Sequence, residues 1–177
     1  IVRQGWKDGS GQPEEVKSGL AAYVEARGGH LDILVNCAGV QRRHVCTEFP
    51  LSDRYDVIEV NLTATFEMCQ LAANQMIAQN SKGKIINVAS MLSYFGGWTV
   101  PAYAASKGGV AQLTKALSNE WTEKGINVNA IAPGYMATEL NTALINDPNR
   151  NKDILARLPA HSRGTDNALQ GLTHFLA

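Results

Sequence analysis

This 177-residue sequence has little cysteine, no excess of charge of one sign and no long apolar run. Its three cysteines, Cys37, Cys46 and Cys69, are odd in number and lack metal-site or CxxC spacing. We therefore expect no disulfide framework, no metal site and a reducing, cytoplasmic compartment. Basic and acidic residues both number 16, which argues against nucleic acid or an anionic membrane as a main partner. No apolar run approaches the roughly 18 residues that cross a bilayer, so we expect a soluble protein.

The start of the sequence lacks an initiator methionine and a signal-peptide pattern. We therefore expect it to be a piece of a longer chain. Hydrophobic residues make up 45% and charged residues 18%, the balance of an ordinary globular domain. The length predicts one domain, 1–177, with a single core.

Apolar periodicity and turn residues predict an alternation of helices and strands. The predicted helices begin at Pro13, at a cap on Ser52 and near Pro101, and they end before Gly28, near Gln79 and at Lys124. The predicted strands are residues 31–35, 84–90 and 126–132. Each crossover is long enough to make its flanking strands parallel. The pattern therefore predicts an α/β fold, a layered parallel sheet with helices on both faces.

The residues just after each strand are the informative ones, because ligands bind beyond the carboxyl ends of parallel strands. The sequence NCAG at 36–39, Ser90 and a Pro-Gly pair at 133–134 occupy such positions. On the third helix, Tyr103 and Lys107 are four residues apart and share one face. Alone, this spacing is more typical of two solvated surface residues than of a functional pair.

The combination of these features resembles the short-chain dehydrogenase/reductase family. In that family NNAG, a helical Asn, a Ser, YxxxK and a later PG with a nearby Thr follow one another, and all five features occur here in that order. The resemblance implies a Rossmann-like, doubly wound parallel sheet with helices on both faces. It is partial, because the family's first strands with the TGxxxGxG loop and its last strand have no counterpart in the sequence.

The resemblance implies four catalytic residues. Tyr103 is the acid/base, and because free tyrosine has a pKa of about 10, a nearby cation must favour its phenolate. Lys107 is expected to lower that pKa and to bind the nicotinamide ribose. Ser90 holds the substrate oxygen as charge develops on it. Asn61 braces a water that continues a proton relay toward Lys107.

The implied cofactor is NAD or NADP, and the preference between them is left open. Cys37 replaces the second Asn of the family's turn. The residues expected to contact the cofactor are Asn36, Ala38, Gly39, Tyr103, Lys107, Pro133, Gly134 and Thr138.

Shorter stretches, including residues 39–43 and 127–138, resemble the gluconate and deoxygluconate dehydrogenases of this family. The implied substrate is a sugar acid, a polyol or a related ketone. Arg42 and Arg43 suit a substrate carboxylate, since guanidinium binds it bidentately, although loop arginines are more often merely solvated. The remaining pocket wall is expected from Ser93, Tyr94 and Trp98.

Two functions stay open. The first is hydride transfer between NAD(P) and a secondary alcohol. The second is a catalytically silent, truncated chain that serves as an oligomerisation or interaction module. A homo-oligomer, a tetramer or dimer, is expected under both, because in this family the helices that carry Asn61 and Tyr103 pack against their copies.

Overall fold

The computed structural model describes residues 13–138 and 141–177, with backbone alone at 13–17, 143, 144 and 166. In chain order the elements are α1 (Pro13–Ala26), β1 (Ile33–Asn36), a 3-10 turn (Cys46–Glu48), α2 (Leu51–Ile58), a π-helical turn (Glu59–Thr63), α3 (Ala64–Ala78), β2 (Gly83–Val88), α4 (Leu92–Phe95), α5 (Pro101–Trp121), a second 3-10 turn (Thr122–Lys124) and β3 (Ile126–Ile131). Short helical segments follow: α6 (Thr142–Ile145), α7 (Pro148–Arg157), a 3-10 turn (Asp166–Leu169) and α8 (Gln170–Leu176).

The three strands form one parallel sheet in the order β1-β2-β3. Leu34 pairs with Ile85, and Ile85 pairs with Val128. The predicted parallel α/β sheet with helices is confirmed. Because the strands are parallel, their carboxyl ends meet at one edge, and the loops that carry the candidate residues all start there.

The core lies where α1, α3 and α5 pack on one face of the sheet. Its members include Leu20, Val24, Leu34, Cys69, Met76, Ile85, Leu117, Trp121 and Val128. Side chains alternate along a strand, so Ile86 points to the opposite face, where it is also fully buried. The strand β2 contacts α8 as well. Of the described helices, none is both long and apolar enough to span a membrane.

The strand boundaries differ from the prediction by one or two residues, and side chains bind backbone groups just outside two of the strands. Gln79 accepts a hydrogen bond from Leu31 N at 3.0 Å and donates one to Leu31 O at 2.7 Å. These bonds occupy the Leu31 backbone, and β1 begins at Ile33 rather than at residue 31. The strand β2 ends at Val88, and beyond it the Ser90 N–H donates to the Ser93 hydroxyl at 3.2 Å.

The prediction of a helix cap at Ser52 is wrong. The residue at the N-cap is Pro50, which is extended with ψ 134°, and no side chain caps this end. Ser52 therefore lies inside the first turn of α2. Asp53 is in the same turn, where its negative charge is attracted to the unpaired backbone N–H groups at the helix start.

The predicted single helix of residues 52–79 is interrupted by the π-helical turn. There the Ala64 N–H bonds to Glu59 O, five residues back, instead of four. One extra residue in the turn changes which side chains face the sheet, and such turns are common at functional sites. Asn61 lies in this turn and is fully buried.

Gly83, at the start of β2, gives a test of the packing between α3 and the sheet. A Cβ added there would lie 2.2 Å from Sδ and 2.8 Å from Cγ of Met76, which is fully buried. We expect Gly83→Ala to lower the free energy of unfolding by about 1–3 kcal/mol through overpacking. Chemical denaturation followed by circular dichroism measures this.

Gly108→Ala is the matched control. It lies inside α5, and its added Cβ would meet its nearest neighbour, Ser93 O, at 3.8 Å. Because alanine favours a helix more than glycine does, we expect this variant to be stabilised by up to about 1 kcal/mol. Equal destabilisation of both variants would contradict the packing argument.

Candidate active site

Ser90, Tyr103 and Lys107 meet at the carboxyl edge of the sheet. Ser90 follows β2, and Tyr103 and Lys107 are one turn apart on α5. The Ser90 side chain lies beside the Tyr103 phenol, where hydrogen bonding acts to lower the pKa of the phenol. Lys107 Nζ lies 5.9 Å from the centroid of the Tyr103 ring. The structure thus places Ser90 and Lys107 beside the Tyr103 phenol, and these are three of the four predicted catalytic side chains.

Lys107 is a buried cation. Its side chain is 4% exposed, and Nζ donates a 2.6 Å hydrogen bond to Val88 O at the end of β2. Burial lowers its pKa from 10.5 to about 8, while the nearby Cys37 thiol acts in the opposite direction. Among the described residues Val88 O is the one acceptor bound to Nζ, and because an ammonium group carries three donors, two are left for a ligand.

The pKa of Tyr103 is raised above its ordinary value, because burial disfavours the phenolate and the hydrogen bond with Ser90 offsets this only in part. The sequence-based expectation was a pKa lowered by Lys107. The difference has a geometric reason, since the ammonium of Lys107 donates to Val88 O instead of the phenol oxygen. Near neutral pH this tyrosine is a protonated donor.

Ser93 connects Ser90 to the backbone of Lys107. Its hydroxyl accepts from Ser90 N at 3.2 Å and donates to Lys107 O at 2.7 Å. The Ser90 hydroxyl accepts a bond from Leu92 N at 3.1 Å, which orients it over the start of α4. Ser93 was predicted as pocket wall, and the structure uses its hydroxyl inside the protein instead.

Asn61 joins the loop after β1 to α5. Its Oδ1 accepts from Val40 N at 2.8 Å, and its Nδ2 donates to Val40 O and to Ser106 Oγ, both at 3.0 Å. A Cβ added at Gly39 would lie 3.4 Å from Asn61 Oδ1 and 3.6 Å from Lys107 Nζ. Asn61 therefore fixes the loop beside the lysine. That it also braces a water for Lys107 stays a prediction.

A second polar group lies beneath the same edge and was not predicted. Asn87 is fully buried, its Nδ2 donates to Thr114 Oγ1 at 3.0 Å, and its Oδ1 accepts from Asn36 Nδ2 at 2.9 Å. Asn36 also contacts Cys69 Sγ at 3.3 Å. Its amide is thus turned into the sheet, and its contact with a cofactor stays a prediction.

The other residues predicted to contact a dinucleotide lie on the surface of this edge. Ala38, Gly39, Gly134 and Thr138 are exposed, and Pro133 is half-buried, with its carbonyl accepting from Met91 N at 2.9 Å. The free donors of Lys107 next to the uncovered backbone of Gly39 fit a ligand that presents adjacent hydroxyl groups, such as a ribose. Among the described residues no cluster of three metal-ligating side chains occurs.

A cavity of about 630 Å³ opens in front of Tyr103 and Ser90. Its wall includes Gln41, Arg43, Trp98, Tyr135, Asn141, Arg150, Asp153 and Arg157. The volume falls in the range of small-molecule sites. The predicted wall residue Trp98 is present, and the described residues Ser93 and Tyr94 are not part of this wall.

The two arginines predicted for the substrate are separated. Arg42 Nη2 lies 3.9 Å from Asp56 Oδ2, and Arg42 is outside the described cavity wall. Arg43 is in that wall. His44 joins the loop that carries both arginines to α2, because its Nε2 lies 2.6 Å from Asp53 Oδ2. The geometry therefore favours Arg43 over Arg42 as a substrate contact.

Sequence reasoning missed Arg150 and Arg157 of α7. A signal was available, because Asp147 followed by Pro148 is typical of a helix start, and the Asp147 side chain does cap α7. Neither this helix nor its arginines were among the sequence-based predictions.

Comparison with known proteins identifies similar chains. The family model described as short chain dehydrogenase matches residues 8–149. A 2-dehydro-3-deoxy-D-gluconate 5-dehydrogenase from Escherichia coli is 51% identical over 162 residues, which are 90% of this chain and 64% of that protein. A 5-keto-D-gluconate 5-reductase from Escherichia coli is 43% identical over 155 residues, 88% of this chain and 61% of that protein.

A solved structure is also similar. The crystal structure of a gluconate 5-dehydrogenase from Burkholderia cenocepacia in complex with NADP and tartrate matches with a TM-score of 0.88 at 40% identity. The match covers 94% of this chain and 64% of that one. The chain thus spans less than two thirds of the length of each of these relatives.

The burial of Lys107 predicts a pH-dependent stability. Its pKa is lower in the folded chain than in the unfolded one, so between about pH 8 and pH 10.5 the unfolded chain binds more protons, and stability rises with pH. Relative to Lys107→Met, we expect the wild type to gain about 2 kcal/mol in the free energy of unfolding from pH 7 to pH 9.5.

Urea denaturation at a series of pH values measures this difference. The variant removes the ammonium and keeps most of the side-chain volume, and Tyr103 titrates in both proteins. A constant difference between the two proteins across the pH range would show that Lys107 is not desolvated.

Proposed function

This chain belongs to the short chain dehydrogenase family, and from that premise we propose that the protein carrying it transfers a hydride between NADP and a secondary alcohol or ketone of a sugar acid. The observation that carries the proposal is the Tyr103 phenol, which faces a cavity together with Ser90 and lies next to the buried Lys107. Arrangements of groups with perturbed pKa values in a cavity are typical of active sites.

Tyr103 moves the proton. In the direction of ketone reduction, the neutral phenol donates its proton to the substrate oxygen as negative charge develops there, and its raised pKa keeps it protonated at neutral pH. In alcohol oxidation the ionised form of the same phenol takes the hydroxyl proton, which regenerates the neutral phenol. The Ser90 hydroxyl, which lies in the same cavity wall as the phenol, holds the substrate oxygen at the same point.

Lys107 holds the nucleotide. With one bond to Val88 O, its ammonium has donors left for the ribose hydroxyls, and the backbone of Gly39 lies beside it. A bound nicotinamide supplies or accepts the hydride at the carbinol carbon. The nucleotide is proposed to lie against Ala38, Pro133, Gly134 and Thr138. The crystal structure of the Burkholderia relative contains NADP, which supports NADP as the cofactor of this protein.

A sugar acid is the proposed substrate class. The names of the relatives refer to keto and deoxy derivatives of gluconate, and the cavity places the cation Arg43 in the same space as Tyr103. Guanidinium binds a carboxylate by two parallel hydrogen bonds, which a neutral polyol cannot form.

We further infer an oligomer in a reducing compartment such as the cytoplasm. Leu51, Tyr55 and Phe66 on α2 and α3 are 63%, 59% and 41% exposed, a set of apolar side chains that a second copy of the chain would cover. Cys37, Cys46 and Cys69 are free thiols, which suits a reducing environment.

Substitution of Tyr103 tests the proton-transfer role. Tyr103→Phe removes only the hydroxyl group, so we expect kcat with 5-keto-D-gluconate and NADPH to fall by about 10²–10⁴-fold while the affinity for NADPH is unchanged. Lys107→Ala should lower both kcat and the affinity for NADPH. The two readouts are NADPH oxidation at 340 nm and energy transfer from tryptophan to bound NADPH.

The control is Tyr23→Phe, which removes a hydroxyl group from a tyrosine of α1 that packs against the core outside the described cavity wall. This variant should keep the activity of the wild type. Normal turnover by Tyr103→Phe would remove Tyr103 from the reaction, and unchanged NADPH affinity in Lys107→Ala would remove Lys107 from the nucleotide site.

A further inference from the structure

Arg150 of α7 lies in the wall of the active-site cavity and has no role in the function proposed above. We propose that Arg150 binds the carboxylate of the substrate together with Arg43, and that Trp98 holds Arg150 in position for this. The proposal rests on the proposed function, because it names the group that selects a sugar acid over a neutral sugar at that same site.

The charge of the cavity favours an anion. The described charged side chains in its wall are Arg43, Arg150 and Arg157 against the single carboxylate of Asp153. Among the described residues, neither Arg43 nor Arg150 has an acidic side chain within ion-pair distance, in contrast to Arg42, which pairs with Asp56. A substrate carboxylate would supply the missing negative charge.

Arg43 and Arg150 are close enough to act on one another. The pKa of Arg43 is lowered, first by burial and then by the positive charge of Arg150. Two like charges that face one cavity repel each other, and an anion bound between them turns this repulsion into attraction. Two guanidinium groups also offer more donors than one carboxylate can accept, which fixes its orientation.

Arg150 is held in place at its backbone and at its guanidinium. Asp147 caps α7, and its Oδ1 accepts a bond from the Arg150 N–H at 3.1 Å. The Arg150 guanidinium carbon lies 5.5 Å from the centroid of the Trp98 ring, within the range of a cation–π contact. The side chain is thereby pre-organised, which reduces the entropy lost when it binds a ligand.

The loop that carries Trp98 is itself constrained. Thr99 has a φ of 62°, a conformation that a β-branched residue adopts only when its surroundings impose it, and its carbonyl accepts from His44 N at 3.1 Å. A Cβ added at Gly97 would lie 2.6 Å from Val100 Cγ2. Because His44 directly follows Arg43, one hydrogen bond connects the two sides of the proposed carboxylate site.

The test compares a sugar acid with a neutral sugar of the same carbon skeleton. L-Sorbose is 5-keto-D-gluconate with a hydroxymethyl group in place of the carboxylate. For Arg150→Gln we expect KM for 5-keto-D-gluconate to rise about 10- to 100-fold with kcat nearly unchanged, and kcat/KM for L-sorbose to stay within about twofold. Arg150→Lys should recover part of the loss, and Trp98→Leu should raise KM by a smaller factor.

Arg54→Gln is the matched control, because Arg54 also lies over an aromatic ring, that of Tyr55 at 5.9 Å, but on α2 outside the described cavity wall. Arg54→Gln should leave KM and kcat unchanged for both substrates. Calorimetric titration with D-gluconate and with D-glucitol adds a readout that needs no turnover. D-Gluconate should bind more tightly to the wild type than D-glucitol does, and Arg150→Gln should abolish that preference.

The outcomes separate this proposal from the proposed function. An equal loss for the acid and the neutral sugar, or a D-gluconate preference that survives Arg150→Gln, overturns the carboxylate site even if the enzyme is active. Arg150-dependent binding of D-gluconate by a chain without turnover supports the site and contradicts the proposed function.

Discussion

The three hydrogen bonds of the buried Asn61 amide are the constraint on which the rest of the site depends. They fix both backbone polar groups of Val40 in the loop after β1 and the Ser106 hydroxyl of α5. The loop and the helix belong to separate βα units, and the Asn61 side chain joins them directly. Asn61 reaches both because the π-helical turn changes its direction relative to the helices on either side. Breaking these bonds would leave a buried amide unsatisfied, which costs more than the bonds themselves contribute.

The electrostatics of the site follow from burial more than from pairs of opposite charge. The same dry environment lowers the pKa of Lys107 and raises that of Tyr103, so both neutral forms are favoured. This costs stability, and the structure keeps the two groups at the edge of the sheet with only partial compensation from Val88 O and Ser90. Groups placed at such a cost are expected to have a chemical role, and a protonated phenol above a serine hydroxyl suits the delivery of a proton to a ketone oxygen.

Much of this could be predicted from the sequence, and the exceptions have identifiable causes. Aliphatic runs at β1, β2 and β3 with long helical crossovers were enough for a parallel sheet. The spacing of Tyr103 and Lys107 was not enough by itself, and the family resemblance placed them in one site with Ser90. The π-helical turn was missed because one inserted residue hardly changes an apolar period. The internal role of Ser93 depends on the carbonyl of Lys107, which no side-chain pattern reveals. Arg150 was missed because its position in the cavity comes from the packing of α7 near the loop of Trp98, a contact between distant parts of the chain.

The measurement that tests the central claim most directly is the transfer of deuterium from NADPH labelled at C4 to 5-keto-D-gluconate, followed by NMR of the product. The account predicts that the protein carrying this chain forms gluconate with deuterium bound to C5, because the substrate carbonyl is held at Tyr103 and Ser90 beside the nucleotide. Product without the label at C5, or no product from folded protein saturated with NADPH, would contradict it.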